Sequence, residues 1–190
     1  MNILWDFDGT LINTYPAYTK ILRETLGNRI SEAEAFQQLK VSFSHAFEYF
    51  QLTDKQIVQV RSAARNLPAN QVMPFPGVEK VLKYANKNVM MTHKERDDVW
   101  DILKYYHLDH FFADMVAGDD GFPRKPDPSS YRYLHEKHQI DLAIGDREID
   151  IVPAKILGIK TCLFQNNTPG ADYYLESYED FNPGLFENFK

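Results

Sequence analysis

Two aspartates, Asp6 and Asp8, stand one residue apart directly after the apolar run Ile3-Leu4-Trp5. Strand alternation puts both on the same side, where their carboxylates repel unless a cation lies between them. Mg²⁺, a hard cation that takes oxygen ligands, is the simplest such partner. The competing reading is a plain strand end followed by an Asp-Gly turn. Other residues with chemical potential are placed in a similar way. Thr92 follows VMM, Asp146 follows LAIG with Asp150 four residues later, and Lys125 lies in the loop after MVAGDDGF. Asp6, Asp8 and Asp146 with the Thr92 hydroxyl and Lys125, recurring at strand ends, could surround a phosphate and a metal.

The elements that must position them alternate along the chain. The apolar runs 3–7, 89–91, 115–117, 142–144 and 161–164 are short and bounded by Asp, Gly or Thr, as strands are. Between them, 78–86, 97–106, 129–138 and 149–157 have helical periodicity. Strands alternating with helices predict an α/β fold, a Rossmann-like parallel sheet with helices on both faces. In such a sheet ligands bind at the carboxyl ends of the strands, which is where the candidates fall. The stretch 14–76 breaks the rhythm. It contains nothing that reads as a strand, while 18–26, 32–39, 44–50 and 54–65 read as helices. That block predicts an inserted small α-helical cap over residues 14–76, with the core formed by 1–13 and 77–190. The prolines of Met73-Pro-Phe-Pro-Gly77 stiffen the return to the core.

Each candidate also has a purely structural reading. Thr92 opens Thr-His-Lys-Glu, a capping-box pattern, although a helix N-terminus also suits phosphate. Asp127-Pro128 reads as a helix start with proline at its first position. Lys125 alone reads as a solvated turn lysine, and Gly145-Asp146 as a strand end. The pairs His107/His110 and His135/His138 lack the further ligands that zinc needs, so they read as exposed histidines.

Composition narrows the function. The chain has 190 residues, 44% hydrophobic and 25% charged, an ordinary globular profile. A formal charge of −6, from 27 acidic against 21 basic residues, argues against a general nucleic-acid partner. The single cysteine, Cys162, cannot form an intramolecular disulfide and fits a reducing compartment. With no basic leader before Asp6 and no uncharged run of bilayer length, the expectation is a cytoplasmic protein without membrane contact.

Four of these segments together resemble the motifs of the haloacid dehalogenase superfamily: Asp6-Phe-Asp-Gly-Thr-Leu11, the threonine at 92, Lys125-Pro-Asp-Pro128 and Gly145-Asp-Arg-Glu-Ile-Asp150. They come in the family's order and span nearly the whole chain. Pro76-Gly77-Val78 and Gly158-Ile-Lys-Thr161 are similar to connecting segments of its phosphoglycolate phosphatase and β-phosphoglucomutase-like branch, which carries a helical cap.

The resemblance implies a Mg²⁺-dependent phosphatase of small phosphorylated metabolites, as monomer or weak homodimer. Asp6 would be the nucleophile and form an aspartyl-phosphate, with Asp8 as general acid and base. Asp6, Asp8 through its backbone carbonyl, and Asp146 would hold the Mg²⁺, with Asp150 orienting that shell. Thr92, Lys125 and backbone N–H groups around Gly9 and His93 would hold the phosphoryl oxygens. Halide leaves without a proton, so an acid at position 8 argues against dehalogenation. Two alternatives stand beside hydrolysis: a phosphomutase on the same fold, and a non-catalytic regulatory or binding protein.

The chain departs from the family pattern in two places. Asn13 stands where many relatives carry an acid. Leu39-Lys-Val-Ser-Phe43 resembles the substrate-reading cap loop of β-phosphoglucomutases but lacks a glycine, and Phe43 replaces the arginine that anchors a second phosphate. Hydrolysis is therefore favoured over mutase chemistry. Tyr15, Lys40 and His45 are candidates for the cap side of the site, with Lys40 as the partner of a carboxylate or second phosphate. Alternatively Phe43, Phe47 and Phe50 are cap core and Lys40 is solvated.

Overall fold

The computed structural model describes residues 1–182 and 184. These divide into two compact units, one formed by Met1–Ile12 with the chain from Pro74 onward and the other by Asn13–Met73.

The first unit is built on a six-stranded sheet, every neighbouring pair of which is parallel. Its strands in chain order are β1 (Asn2–Trp5), β4 (Lys87–Met91), β5 (Phe112–Val116), β6 (Leu142–Gly145), β7 (Lys160–Phe164) and β8 (Tyr173–Leu175), while β2 (Ile12–Asn13) and β3 (Met73–Pro74) pair with each other. The spatial order β5-β4-β1-β6-β7-β8 leaves β1 in the middle. The chain runs to one side of β1 and later returns to the other, so the topological switch falls at β1's own carboxyl end. Ile3, Leu4, Trp5 and Phe7 are all fully buried, as expected of a strand covered on both faces.

Period-2 alternation sorts the two faces. Leu4, Val89, Met91, Val116 and Ala143 share one core cluster with Tyr131 and Leu134 of α7 (Ser129–His138) and Ala154 of α8 (Glu148–Ile156). On the other face, the Trp5 indole N–H donates to Asn88 Oδ1 at 2.8 Å. Asn88 in turn donates to the Leu82 carbonyl of α5 (Val78–Tyr84) at 2.9 Å, so this buried amide is satisfied by the covering helix. The remaining helix of this unit is α6 (Arg96–Tyr105). The α/β parallel-sheet expectation holds, and the expected helices appear within a residue or two of their boundaries. The short strands β2, β3 and β8 went unread, since two or three residues carry no periodicity.

The second unit is helical: α1 (Tyr15–Thr25), α2 (Glu32–Val41), α3 (Phe43–Tyr49) and α4 (Asp54–Arg65). Its core contains Tyr18, Leu22, Leu39, Phe47 and Val60, with Phe43 and Phe50 packed against it. The caps are written in the sequence. Ser31 Oγ accepts from Glu34 N–H, and Thr53 with Gln56 forms a capping box. Ser42 Oγ accepts from His45 N–H and so starts α3 one residue after α2 ends. The run 39–43 is therefore not a loop between helices. Lys40 lies in the last turn of α2. Among the described residues no helix is long and apolar enough to cross a membrane.

Candidate active site

Asp6 continues β1 by one residue, its N–H donating to the Ile144 carbonyl at 2.9 Å. The chain then turns at once. The Phe7 carbonyl accepts from the N–H groups of Thr10, Leu11 and Ile12, which lifts Asp8 off the strand. The carboxylates that gather are Asp6, Asp146 and Asp150, each with an oxygen within 4.8 Å of the others and all three buried. Asp8, two residues past Asp6, is half-buried on the turn. Of the backbone N–H groups around Gly9 expected at the phosphate, Gly9's own donates to the Ile12 carbonyl at 2.8 Å and closes the turn.

Lys125 is no solvated turn residue. Its side chain is 1% exposed, with Nζ 2.6 Å from Asp6 Oδ1 and 2.9 Å from Asp150 Oδ1. The loop that carries it is pinned by its own N–H, which donates to His93 Nε2 at 2.9 Å. Asp150 sits in the first turn of α8, where its Oδ2 accepts from Arg147 N–H at 3.0 Å. Both of its oxygens are thus engaged, which suits an orienting acid. Thr92 directly follows β4, next to β1, and its N–H still pairs with the Val116 carbonyl. The capping-box reading fails for it because α6 begins at Arg96, with Glu95 as its flanking residue. Thr92 Oγ1 instead accepts from Lys94 N–H at 3.1 Å, which leaves the hydroxyl proton to donate elsewhere. Asp127 does help start α7, accepting from Ser129 N–H, but Pro128 is the flanking residue rather than the first helical one.

Charge at this site is unbalanced in a direction that fits a cation. Burial first, and then Asp150 and Asp146, push the Asp6 carboxyl up to about 7 against the opposing pull of Lys125 and Arg147. Burial alone would lower the Lys125 ammonium, yet Asp150 and Asp6 hold its pKa above the ordinary value. Burial likewise works against the Asp150 carboxylate, but Lys125 and Arg147 prevail and keep it below the usual range. Burial, with Lys125 and Arg124 adding to it, drops the His93 imidazole to about 3, so it is neutral and able to accept from the Lys125 N–H. Three buried carboxylates facing one buried ammonium form an oxygen-only donor set with surplus negative charge, and a hard divalent cation fits it.

Sequence reasoning missed two neighbours of the site. Thr10 is fully buried and its hydroxyl donates to Asp6 Oδ2 at 3.0 Å. It lies inside the Asp6–Leu11 motif, two residues past Asp8, and was legible there. Asn166 donates from Nδ2 to the Asp146 carbonyl at 2.9 Å. It follows the carboxyl end of β7, the same kind of position that marked the other candidates. The proposed cap residues belong to the helical unit. Lys40 Nζ lies 4.6 Å from the centre of the Tyr15 ring, and His45 Nε2 is 2.8 Å from Gln38 Oε1. Phe43 packs edge-on against Tyr18 and Phe47, so it is part of that unit's core.

Comparison with known proteins gives one consistent pattern. The family model described as Haloacid dehalogenase-like hydrolase matches residues 3–164. A phosphoglycolate phosphatase of Vibrio cholerae is 26% identical over 195 residues, covering 82% of this chain and 80% of its own. The pyrophosphatase PpaX of Halalkalibacterium halodurans is 25% identical over 193 residues, covering 94% and 90%. Among solved structures, a hydrolase from Streptococcus pneumoniae is 31% identical with a TM-score of 0.68, covering 87% of this chain and 93% of its own.

Proposed function

This chain belongs to the haloacid dehalogenase-like hydrolases, and on that footing we propose that it is a Mg²⁺-dependent phosphatase of small phosphate monoesters. The observation that carries the reading is the buried Asp6, with Lys125 Nζ on Oδ1 and the Thr10 hydroxyl on Oδ2. That carboxylate is aimed by two donors at the carboxyl end of the central strand, as an in-line nucleophile needs.

In the first half-reaction an Asp6 oxygen forms a bond to phosphorus as the ester P–O bond breaks. Asp8 gives its proton to the departing alkoxide. In the second, the Asp8 carboxylate takes a proton from water, whose oxygen bonds to phosphorus as the Asp6–P bond breaks, releasing inorganic phosphate. Lys125, the Thr92 hydroxyl and backbone N–H groups near residues 8 and 93 hold the phosphoryl oxygens and offset their charge. Asp6, the Asp8 carbonyl and Asp146 would hold the Mg²⁺, whose chemistry there is to neutralise charge on the phosphoryl group. Asp150 keeps Lys125 in place.

Hydrolysis is favoured over mutase chemistry because position 43 offers an aromatic ring, engaged with Tyr18 and Phe47, where a bisphosphate needs a cation. The named relatives point to substrates with a second anionic group, a carboxylate in phosphoglycolate and a second phosphate in pyrophosphate. We assign the helical unit to substrate selection, with Lys40 and His45 as its polar candidates. The test is phosphate release from p-nitrophenyl phosphate by wild type, Asp6→Asn and Asp8→Asn. Asp6→Asn should be inactive, since an amide cannot accept the phosphoryl group. Asp8→Asn should lose about 10²–10⁴-fold in kcat, the usual share of general acid–base catalysis. Near wild-type turnover in Asp6→Asn would overturn the assignment.

A further inference from the structure

The chain beyond residue 164 lies outside the family match, yet one of its side chains reaches the catalytic turn. Tyr178 is fully buried. Its ring stacks on Phe164 with centroids 4.1 Å apart and planes 6° from parallel, and meets Trp5 edge-on at 5.8 Å. Its hydroxyl donates to the Thr10 carbonyl at 3.0 Å. Thr10 then donates from its own hydroxyl to Asp6 Oδ2. Two hydrogen bonds therefore separate a rigidly held phenol from an oxygen of the nucleophile.

The backbone behind that phenol is held as firmly. Gly77 has φ +79°, and a Cβ there would come within 2.7 Å of Glu179 N and 2.8 Å of the Tyr178 carbonyl carbon. A side chain at 77 would push the Tyr178 peptide away. From the next helix, Lys80 Nζ donates to the Phe181 carbonyl at 3.1 Å. The ring is clamped from both sides and the backbone from beneath, so the hydroxyl has a fixed address.

We infer that Tyr178 is a positioning residue for Asp6, acting through the Thr10 peptide. The inference rests on the reading of Asp6 as nucleophile. A buried carbonyl bonded to an immobile donor has one favoured orientation, and the Thr10 side chain inherits it. Without the phenol that peptide can tilt, the Thr10 hydroxyl shifts off Oδ2, and the angle of attack on phosphorus loosens. Sub-ångström errors of this kind act on kcat rather than on binding.

Tyr178→Phe keeps the stack and removes only the hydroxyl. On p-nitrophenyl phosphate, kcat should fall by roughly 10- to 100-fold with KM unchanged. Thr10→Val should show a loss of similar size. The double variant should be no slower than Thr10→Val alone, because Tyr178 acts through the hydroxyl that Thr10→Val removes. Losses that multiply in the double variant, or a Tyr178→Phe kcat equal to wild type, would overturn the proposal. Hydrogen exchange supplies a readout that needs no turnover. Amides of residues 7–12 should exchange faster in Tyr178→Phe while those of β4 and α7 keep wild-type rates. Unchanged exchange at 7–12 would overturn it. A wild type without turnover would sink the phosphatase reading alone, since the exchange result still decides the role of Tyr178.

Discussion

Gly145 and Asp150 occupy the same small space. A Cβ built on Gly145 would stand 2.2 Å from the Asp150 Cβ and 2.7 Å from its Cγ. The last residue of β6 is glycine because Asp150, whose carboxylate bonds Lys125, fills the space a side chain there would need. The Gly-Asp pair preceding α8 is therefore a packing requirement of the site rather than a generic strand end.

Gly145→Ala should consequently move Asp150 and, with it, Lys125. Overpacking of this kind costs about 1–3 kcal/mol of stability. The effect on kcat should be larger in relative terms, on the order of 10²-fold, because Lys125 loses its fixed distance to Asp6. Steady-state kinetics beside thermal unfolding will test this. A stable Gly145→Ala enzyme with wild-type kcat would show that Asp150 does not set the lysine.

Metal binding should be visible without catalysis. Mg²⁺ bound at a hundred times its Kd would stabilise the folded state by about 2.7 kcal/mol. For a chain of this size that raises Tm by on the order of 5–10 °C. The rise should vanish in Asp146→Asn, which removes a buried carboxylate from the donor set. Exhaustive chelation should abolish phosphate release, and Mg²⁺ should restore it. Activity that survives chelation would count against the assignment of the site.

Lys125→Ala should damage both chemistry and folding. The side chain is 1% exposed and bridges Asp6 and Asp150, so its loss leaves buried carboxylates facing one another. Removing one member of a buried ion pair costs roughly 3–5 kcal/mol. Added Mg²⁺ should recover part of the lost Tm while kcat stays low, since the cation replaces charge but not the ammonium's hydrogen bonds. A turn lysine would have cost little on either measure, and a Tm equal to wild type would contradict the buried bridge.

Lys40→Ala tests the helical unit. Lys40 should raise affinity for a substrate with a second anionic group and leave a small aryl ester indifferent. The expected result is a higher KM for phosphoglycolate with kcat/KM for p-nitrophenyl phosphate nearly unchanged. Equal losses on both substrates, or none on either, would remove Lys40 from substrate selection. Its place over the Tyr15 ring would then be a packing role within the helical unit.

The site residues were legible to the extent that their signal is local. Short apolar runs ending in Asp6, Thr92 and Asp146 mark strand ends, and parallel-sheet topology puts chemistry there. The helices read over 32–39 and 54–65 start where expected, behind Ser31 and Thr53, whose caps reach only three residues ahead. Local signals misled where two patterns overlapped. Thr92 has the spacing of a capping box, yet the chain delays the helix to Arg96. Lys40 was expected in a loop, yet Ser42 ends one helix and caps the next within a single residue.

Neighbours along the chain carry the order of the longer strands and of the helices, the positions of the acids and the family's motifs, because periodicity and motif spacing are local properties. Packing between distant stretches makes Lys125 a buried bridge, gathers Asp6 with Asp146 and Asp150, and puts the Tyr178 hydroxyl on the Thr10 carbonyl. Lys125 lies 119 residues from Asp6 and Tyr178 lies 168 from Thr10. Contacts at such separations depend on which strand lies beside which. The sheet order β5-β4-β1-β6-β7-β8 is set by the simultaneous burial of every face, which no single stretch of the chain records.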